Sequence, residues 1–283
     1  MERVLFVSGN CGDLAKENVE LKLFPDGESY VRMPGLEKGR GKHAFILHRC
    51  YPDQDRSLIQ LFLMLRTLNG IAKKITAIVP YFPYARQDKM FLEGEAKSAE
   101  HIAGMMKECG CDELITFDCH FLRKLRRGTY EGLPIVNISM NKQLIDYFGR
   151  KEKDILPIAP DGGAAYLVKD FGGEAMRKRR GGYSKGNVAM REITEIGMDF
   201  DVSGRNVLIL DDMIAGGGTM VKAVELCRRK GARRVFCAAT HGLFLGDSLR
   251  KIRRAGADEV VVSDSIMCSA SKVTVKYELR RFL

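Results

Sequence analysis

Short apolar runs recur along this chain with stretches of mixed polarity between them. Val4 to Val7, Ala44 to Leu47, Ile75 to Val79 and Leu114 to Phe117 fall in the first half; Ile155 to Ala159, Val207 to Leu210, Val235 to Ala239 and Glu259 to Val262 fall in the second. Runs this short and this rich in Val, Ile, Leu and Ala predict strands covered on both faces, and helical stretches between them predict parallel α/β sheets. Two helices read clearly. One covers Asn141 to Phe148; the other covers Thr219 to Lys230, with Met220, Ala223, Val224 and Cys227 at helical spacing and Gly231 as its stop. Nearly every apolar run ends in polar or glycine-rich residues: Gln87-Asp88, Asp118 to His120, Asp161-Gly162-Gly163, Asp211-Asp212 and His241-Gly242. The carboxyl ends of parallel strands are where open sheets bind ligands.

The halves resemble each other, since a strand with a ligand loop, a helix and a strand ending in a His motif occur at Ile75 to His120 and again at Val207 to His241. This predicts two similar three-layer α/β domains, residues 1–145 and 146–283, with the boundary falling within Met140 to Lys153, where the helical stretch Asn141 to Phe148 gives way to the charged Gly149 to Asp154. A chain of 283 residues, 45% hydrophobic, can bury a core in each. One connection is short. Only Gly9 to Val19 separate the first strand from the next extended segment, so any helix there is trimmed to about one turn, around Leu14 to Glu17.

A net charge of +10 asks for an anionic partner, either nucleic acid or small polyphosphates. Arg123, Lys124, Arg126 and Arg127, and again Arg250, Lys251, Arg253 and Arg254, alternate with Leu122, Leu125, Leu249 and Ile252, a pattern of solvated helix faces. These clusters contain no aromatic residues for stacking on bases, so nucleic acid is not expected. Eight scattered cysteines without a C-x-x-C pair, no basic amino-terminal leader and no apolar run of membrane-spanning length predict a cytoplasmic protein with free thiols and no membrane contact.

The richest chemistry lies in Asp211-Asp212-Met213-Ile214-Ala215-Gly216-Gly217-Gly218-Thr219. Three glycines let backbone N–H groups converge on a phosphate above a helix amino terminus, and adjacent carboxylates can accept from vicinal sugar hydroxyls. A plain strand-to-helix turn has the same glycine content. Two acids at the end of a buried strand favour the phosphosugar reading, because unpaired carboxylates are costly there.

This stretch resembles the ribose-phosphate signature of the type I phosphoribosyltransferase superfamily. With FPDGE (Phe24 to Glu28), PYFPYARQDK (Pro80 to Lys89), FDCH (Phe117 to His120), APDGGA around Asp161, RKRR (Arg177 to Arg180) and ATHGLF (Ala239 to Phe244), the chain resembles the ribose-phosphate pyrophosphokinases over nearly its whole length. The resemblance implies transfer of the β,γ-diphosphoryl group of ATP to the anomeric hydroxyl of ribose 5-phosphate. It implies ATP contacts from Phe24, Asp26, Gly27, Glu28, Arg86 and Gln87, with the Phe24 segment reaching across a subunit interface, hence a homo-oligomer, dimer or larger. Asp118, His120 and Asp161 are implied ligands of Mg²⁺, and Lys178 and Arg180 form the implied catalytic pair at the base of a mobile loop. Asp211, Asp212, Ala215, Gly216, Gly217, Gly218 and Thr219, with Arg180, are implied contacts of ribose 5-phosphate.

Read from the residues alone, Phe24 to Glu28 is also an ordinary Pro-Asp-Gly turn, and the basic run at Arg177 also reads as a solvated charge cluster. Strand alternation would point Asp118 and His120 to one side and the Cys119 thiol to the other. The family often carries Asp or Ser, then Thr, where this chain has Ala215 and Gly216, so side-chain hydroxyls toward the 5-phosphate are missing. Two other functions share parts of this pattern: a phosphoribosyltransferase that attaches a nucleobase, which would not need FPDGE, ARQDK or FDCH, and a non-catalytic regulatory relative, which would not need Lys178 and Arg180.

Overall fold

In the computed structural model, which describes residues 1–90, 92–122, 127–183 and 191–282, the chain forms two units. Met1–Ser139 and Val275–Leu283 make the first, Met140–Thr274 the second.

The first unit contains, in chain order, β1 (Arg3–Val7), β2 (Glu20–Leu23), β3 (Ser29–Arg32), β4 (His43–Leu47), α1 (Gln54–Leu68), β5 (Lys74–Ile78), α2 (Ser98–Glu108), β6 (Glu113–Phe117), β7 (Arg127–Tyr130) and β8 (Leu133–Ile138). Its sheet runs β1-β4-β5-β6-β8-β7, parallel throughout except for the β7–β8 pair, while β2 and β3 form a separate hairpin. Leu61, Leu65 and Leu68 of α1 and Met106 of α2 are buried in one cluster with Ala44, Ile46, Ile75 and Leu114 of the sheet. Each such leucine contributes about 1.5–3 kcal/mol by leaving water.

The second unit contains α3 (Asn141–Gly149), β9 (Ile155–Ala159), β10 (Glu174–Ala175), β11 (Arg177–Tyr183), β12 (Arg191–Gly197), β13 (Asn206–Ile214), α4 (Gly218–Arg229), β14 (Arg234–Gly242), α5 (Ser248–Arg254), β15 (Glu259–Ser263) and β16 (Ser271–Val273). Its sheet runs β10-β9-β13-β14-β15-β16 and is wholly parallel. Helices cover both faces. Val224 and Cys227 of α4 and Ile252 of α5 pack with Val207, Ile209, Val235 and Cys237, and on the other face Phe148 of α3 meets Phe236, with ring centroids 4.9 Å apart. The mainly parallel α/β architecture expected from the apolar runs is the one observed.

Several expectations differ in detail. A break at 145/146 would cut through α3, whose Leu144 and Phe148 are buried with the second unit. The last residues, including α6 (Lys276–Leu279), belong to the first unit, where Arg3 Nη1 donates to the Phe282 carbonyl at 3.0 Å. Between β1 and β2 the chain makes a 3₁₀ turn at Gly9–Cys11, earlier than Leu14 to Glu17, because the Cys11 and Gly12 N–H groups close on the Ser8 and Gly9 carbonyls; the Leu14 and Ala15 N–H groups then close one further turn on the Cys11 carbonyl. Arg127 opens strand β7, not a helix, since its backbone pairs with Val136; Arg123, Lys124 and Arg126 lie outside the described residues. The basic face of α5 is as expected, with Ile252 buried and Arg250 and Lys251 both paired to Asp247. All eight cysteines are free.

His48 is wholly buried at the end of β4, where Nε2 lies 2.9 Å from the Ser57 carbonyl and Nδ1 2.9 Å from Ser8 Oγ. Burial, which disfavours the charged ring, holds its pKa down to about 4. Between that value and the ordinary value near 6.5 the unfolded chain binds the proton and the folded one does not. Stability is therefore full above about pH 6.5 and falls as the pH drops toward 4, by about 3 kcal/mol in all, since each pH unit in that window costs roughly 1.4 kcal/mol. Denaturant midpoints measured at pH 7.5, 5.5 and 4.5 check this: His48→Gln is expected to flatten the decline, and an equally steep decline in that variant would exclude His48 as its source.

Candidate functional site

The acids and glycines that the sequence singles out occupy one strand–turn–helix. β13 runs on to Ile214, so Asp211 and Asp212 lie within the strand and not beyond it as the apolar run suggested; pairing with β14 continues past them through Met213↔His241 and Ile214↔Gly242. Asp212 is only 6% exposed, and its N–H donates to Asp211 Oδ1 at 3.0 Å, which holds the Asp211 carboxylate against the backbone. Gly217 then adopts φ +76° as the residue preceding α4. A left-handed residue here turns the chain from strand to helix within a few positions, which glycine does without Cβ strain. α4 extends for 12 residues, enough for its amino-terminal N–H groups and macrodipole to favour an anion.

In the same unit Asp161 follows β9, and its Oδ1 accepts from the N–H groups of Gly163 at 2.8 Å and Ala164 at 3.2 Å. The basic run, expected at the base of a mobile loop, forms strand β11, paired antiparallel with β12: Arg177 pairs with Gly197 and Lys178 with Ile196. Composition could not show this, because the partner strand supplies the backbone hydrogen bonds that make it extended. The pairing shifts between Arg179, opposite Glu195, and Arg180, opposite Ile193. Such a bulge bends the ribbon locally. Ser184 to Gly186, the remainder of the expected loop, lie outside the described residues.

In the first unit Phe24 to Glu28 form the tip of the β2–β3 hairpin. Phe24 N–H donates to the Glu28 carbonyl, Glu28 N–H donates to Asp26 Oδ1, and Gly27 has φ +94°. The turn leaves the Phe24 ring 48% exposed and edge-on to Tyr30, with centroids 5.8 Å apart. Arg86 and Gln87 lie beyond β5 on a turn at Pro83 to Arg86, held where the Tyr84 hydroxyl bonds Asp55 of α1. Arg86 is exposed. Gln87 Oε1 accepts from Ser98 Oγ at 2.8 Å, and its carbonyl from Ala99 N–H at 3.2 Å, so the glutamine is tied to the start of α2.

β6 ends at Phe117, and Asp118 has φ +29°, so the strand alternation expected for Asp118, Cys119 and His120 stops before it starts. Cys119 nonetheless joins the apolar core, Asp118 is 3% exposed and His120 is half-buried. The turn is pinned by Asn137 of β8, whose Oδ1 accepts from Cys119 N–H at 2.9 Å and whose Nδ2 donates to the Leu122 carbonyl at 3.2 Å. Sequence reasoning passed over Asn137 and Ser98. An amide inside the apolar run Leu133 to Ile138 was the available signal for the first.

Among the described residues no group of three or more His, Cys, Asp and Glu could by itself hold a metal. Magnesium asks for less: one or two carboxylates, with substrate phosphates and water completing the shell. The Asp-x-His pair after β6 and, separately, the lone aspartate after β9 each offer the few protein ligands that such an ion asks for.

A cleft of about 760 Å³ in the first unit is lined by Val19, Leu21 and Leu23 on one side and Tyr51, Arg56 and Gln60 on the other, and by none of the residues expected to bind ATP or metal. Among the described residues no helix is long and apolar enough to cross a membrane.

Comparison with known proteins gives these features a common setting. Residues 11–110 match the N-terminal domain of ribose phosphate pyrophosphokinase, and residues 186–277 match the phosphoribosyl synthetase-associated domain. The ribose-phosphate pyrophosphokinase of Pyrococcus abyssi is 36% identical across 96% of this chain and 96% of that one, and that of Pyrococcus furiosus 37% identical across 94% and 92%. The crystal structure of phosphoribosylpyrophosphate synthetase from Mycobacterium smegmatis superposes with a TM-score of 0.80 at 26% identity, covering 100% of this chain and 97% of that one. The chain belongs to the ribose-phosphate pyrophosphokinase family.

Proposed function

We propose that this chain joins ATP and ribose 5-phosphate as follows. The anomeric oxygen of the sugar attacks the β-phosphorus of ATP, the bond from that phosphorus to the α,β-bridging oxygen breaks, and the hydroxyl proton is released. The products are 5-phosphoribosyl 1-pyrophosphate and AMP. The observation that carries the reading is the β13–α4 junction, where two adjacent acids, the Asp211 carboxylate held by the Asp212 N–H, lead into a left-handed glycine and a helix amino terminus. Asp211 and Asp212 hold the ribose hydroxyls, and Ala215 to Thr219 hold the 5-phosphate through backbone N–H groups.

In the first unit, Arg86 pairs with ATP phosphates, and Gln87, its Oε1 engaged by Ser98, offers Nε2 to the nucleotide. Phe24 stacks on adenine while Asp26 and Glu28 accept from its amino group, the exposed hairpin tip serving a neighbouring subunit of a cytoplasmic homo-oligomer. Asp118 and His120 would hold the Mg²⁺ that accompanies ATP, and Asp161 a second ion near the ribose. When bound, magnesium neutralises phosphate charge. Lys178 and Arg180 stabilise the charge that develops around the transferred phosphorus, the main requirement of phosphoryl-type transfer. Positioning of the sugar against ATP supplies much of the remaining acceleration.

AMP is expected to form only when ribose 5-phosphate and Mg²⁺ are both present. Chromatographic separation of nucleotides after incubation with ATP checks it. ADP as the product, or condensation of a nucleobase with phosphoribosyl pyrophosphate, would overturn the assignment.

A further inference from the structure

The β2–β3 hairpin has two unlike faces. On one, Leu21 and Val31 pack against the core cluster of the first unit, and β3 lies against α1. On the other, Lys22, Phe24 and Tyr30 stand together. Lys22 is directly opposite Tyr30 in the register, and its Nζ lies 5.8 Å from the Tyr30 ring centroid. Phe24, whose N–H continues the ladder to the Glu28 carbonyl, is the diagonal neighbour of Tyr30, a separation that aromatic side chains span. The two rings meet with centroids 5.8 Å apart and planes at 81°.

Tyr30 belongs to the anchored strand and is half-buried, whereas Phe24 sits at the tip and is 48% exposed. A large ring on an exposed turn samples several rotamers, and a ligand that stacks on it bears the entropy of fixing it. An edge-to-face neighbour fixes the ring in advance. In a near-perpendicular pair Tyr30 covers at most one face of the Phe24 ring, so a planar base still has a face to stack on. Resting on the assignment of Phe24 to adenine, we propose that Tyr30 is a positioning residue for the base of the diphosphoryl donor: it holds the Phe24 ring in the orientation that receives the base, and acts on ATP only through that ring.

Initial rates with varied ATP test this in wild type, Tyr30→Val, Phe24→Ala and the double variant, with Tyr30→Phe as the conservative control. Valine suits an exposed strand, so the hairpin is kept. An aromatic pair of this geometry corresponds to about a 2- to 10-fold change in affinity. Tyr30→Val should raise the KM for ATP by that factor while kcat and the KM for ribose 5-phosphate stay level, and Tyr30→Phe, which keeps the ring, should show the wild-type KM. In the Phe24→Ala background Tyr30→Val should have no further effect, because the tyrosine then has no ring to hold. An unchanged KM for ATP in Tyr30→Val, a KM raised equally for ribose 5-phosphate, or a loss that persists in full without Phe24 would overturn the positioning role while leaving Phe24 as the adenine contact. A wild-type KM for ATP in Phe24→Ala would overturn the assignment of Phe24 and the proposal with it.

Discussion

Replacing Lys178 with alanine is expected to lower kcat by a factor on the order of 10²–10³ while leaving the dissociation constant of ATP nearly unchanged. The effect is differential: a cation that meets charge only as the β-phosphorus is transferred contributes to the transition state and little to ground-state binding. The backbone around Lys178 supports such a role. Lys178 is held in register opposite Ile196 in the β11–β12 ribbon, and that ribbon lies against α4, the helix whose amino terminus faces the proposed 5-phosphate site. A two-stranded ribbon is marginal by itself, so its attachment to α4 is what gives the residue a defined base. Single-turnover kinetics beside equilibrium ATP binding separate the two quantities. Wild-type turnover in the variant would remove Lys178 from the chemistry, and a matched loss in ATP affinity would make it a binding residue.

Gly217→Ala is expected to destabilise the second unit by about 2–5 kcal/mol and to weaken ribose 5-phosphate binding. Two separate effects combine. At φ +76° a side chain costs about 1–2 kcal/mol of backbone strain. The new methyl would also stand 2.9 Å from Ser248 Cβ, an atom fixed to the α5 backbone that cannot swing aside, and overpacking of this kind costs about 1–3 kcal/mol. A double-mutant comparison divides them: in a Ser248→Gly background the steric cost should vanish and only the backbone cost remain. Denaturant unfolding of the four proteins gives the answer, and full additivity would show that the two residues do not press on each other.

The central strands of both sheets were legible, though β7, β8, β10 and β16 toward their edges were not, because a strand covered on both faces writes its burial into consecutive apolar residues, as Val207 to Leu210 and Val235 to Ala239 do. The glycine-rich turn, its helix and the two acids were legible for the same local reason: each needs particular residue types at adjacent positions. Of the half-exposed hairpins only the strand leading to Phe24 was, where Val19 to Leu23 alternate apolar and polar; its partner Ser29–Arg32 was not, and Arg177–Tyr183 is extended only because Arg191–Gly197 lies beside it. Chain order likewise assigned the last residues to the second half, whereas the Arg3 contact to Phe282 returns them to the first unit. The supports of the site are of this second kind. Asn137 pinning the Asp118 turn, Ser98 holding Gln87 and Ser248 resting on Gly217 are all pairings between distant positions. By itself the sequence determined which elements form and which strand ends carry chemistry, since those depend on neighbours along the chain; tertiary structure alone decided which hydroxyls and amides stand beside them, because hydrogen bonds and close packing depend on neighbours in space.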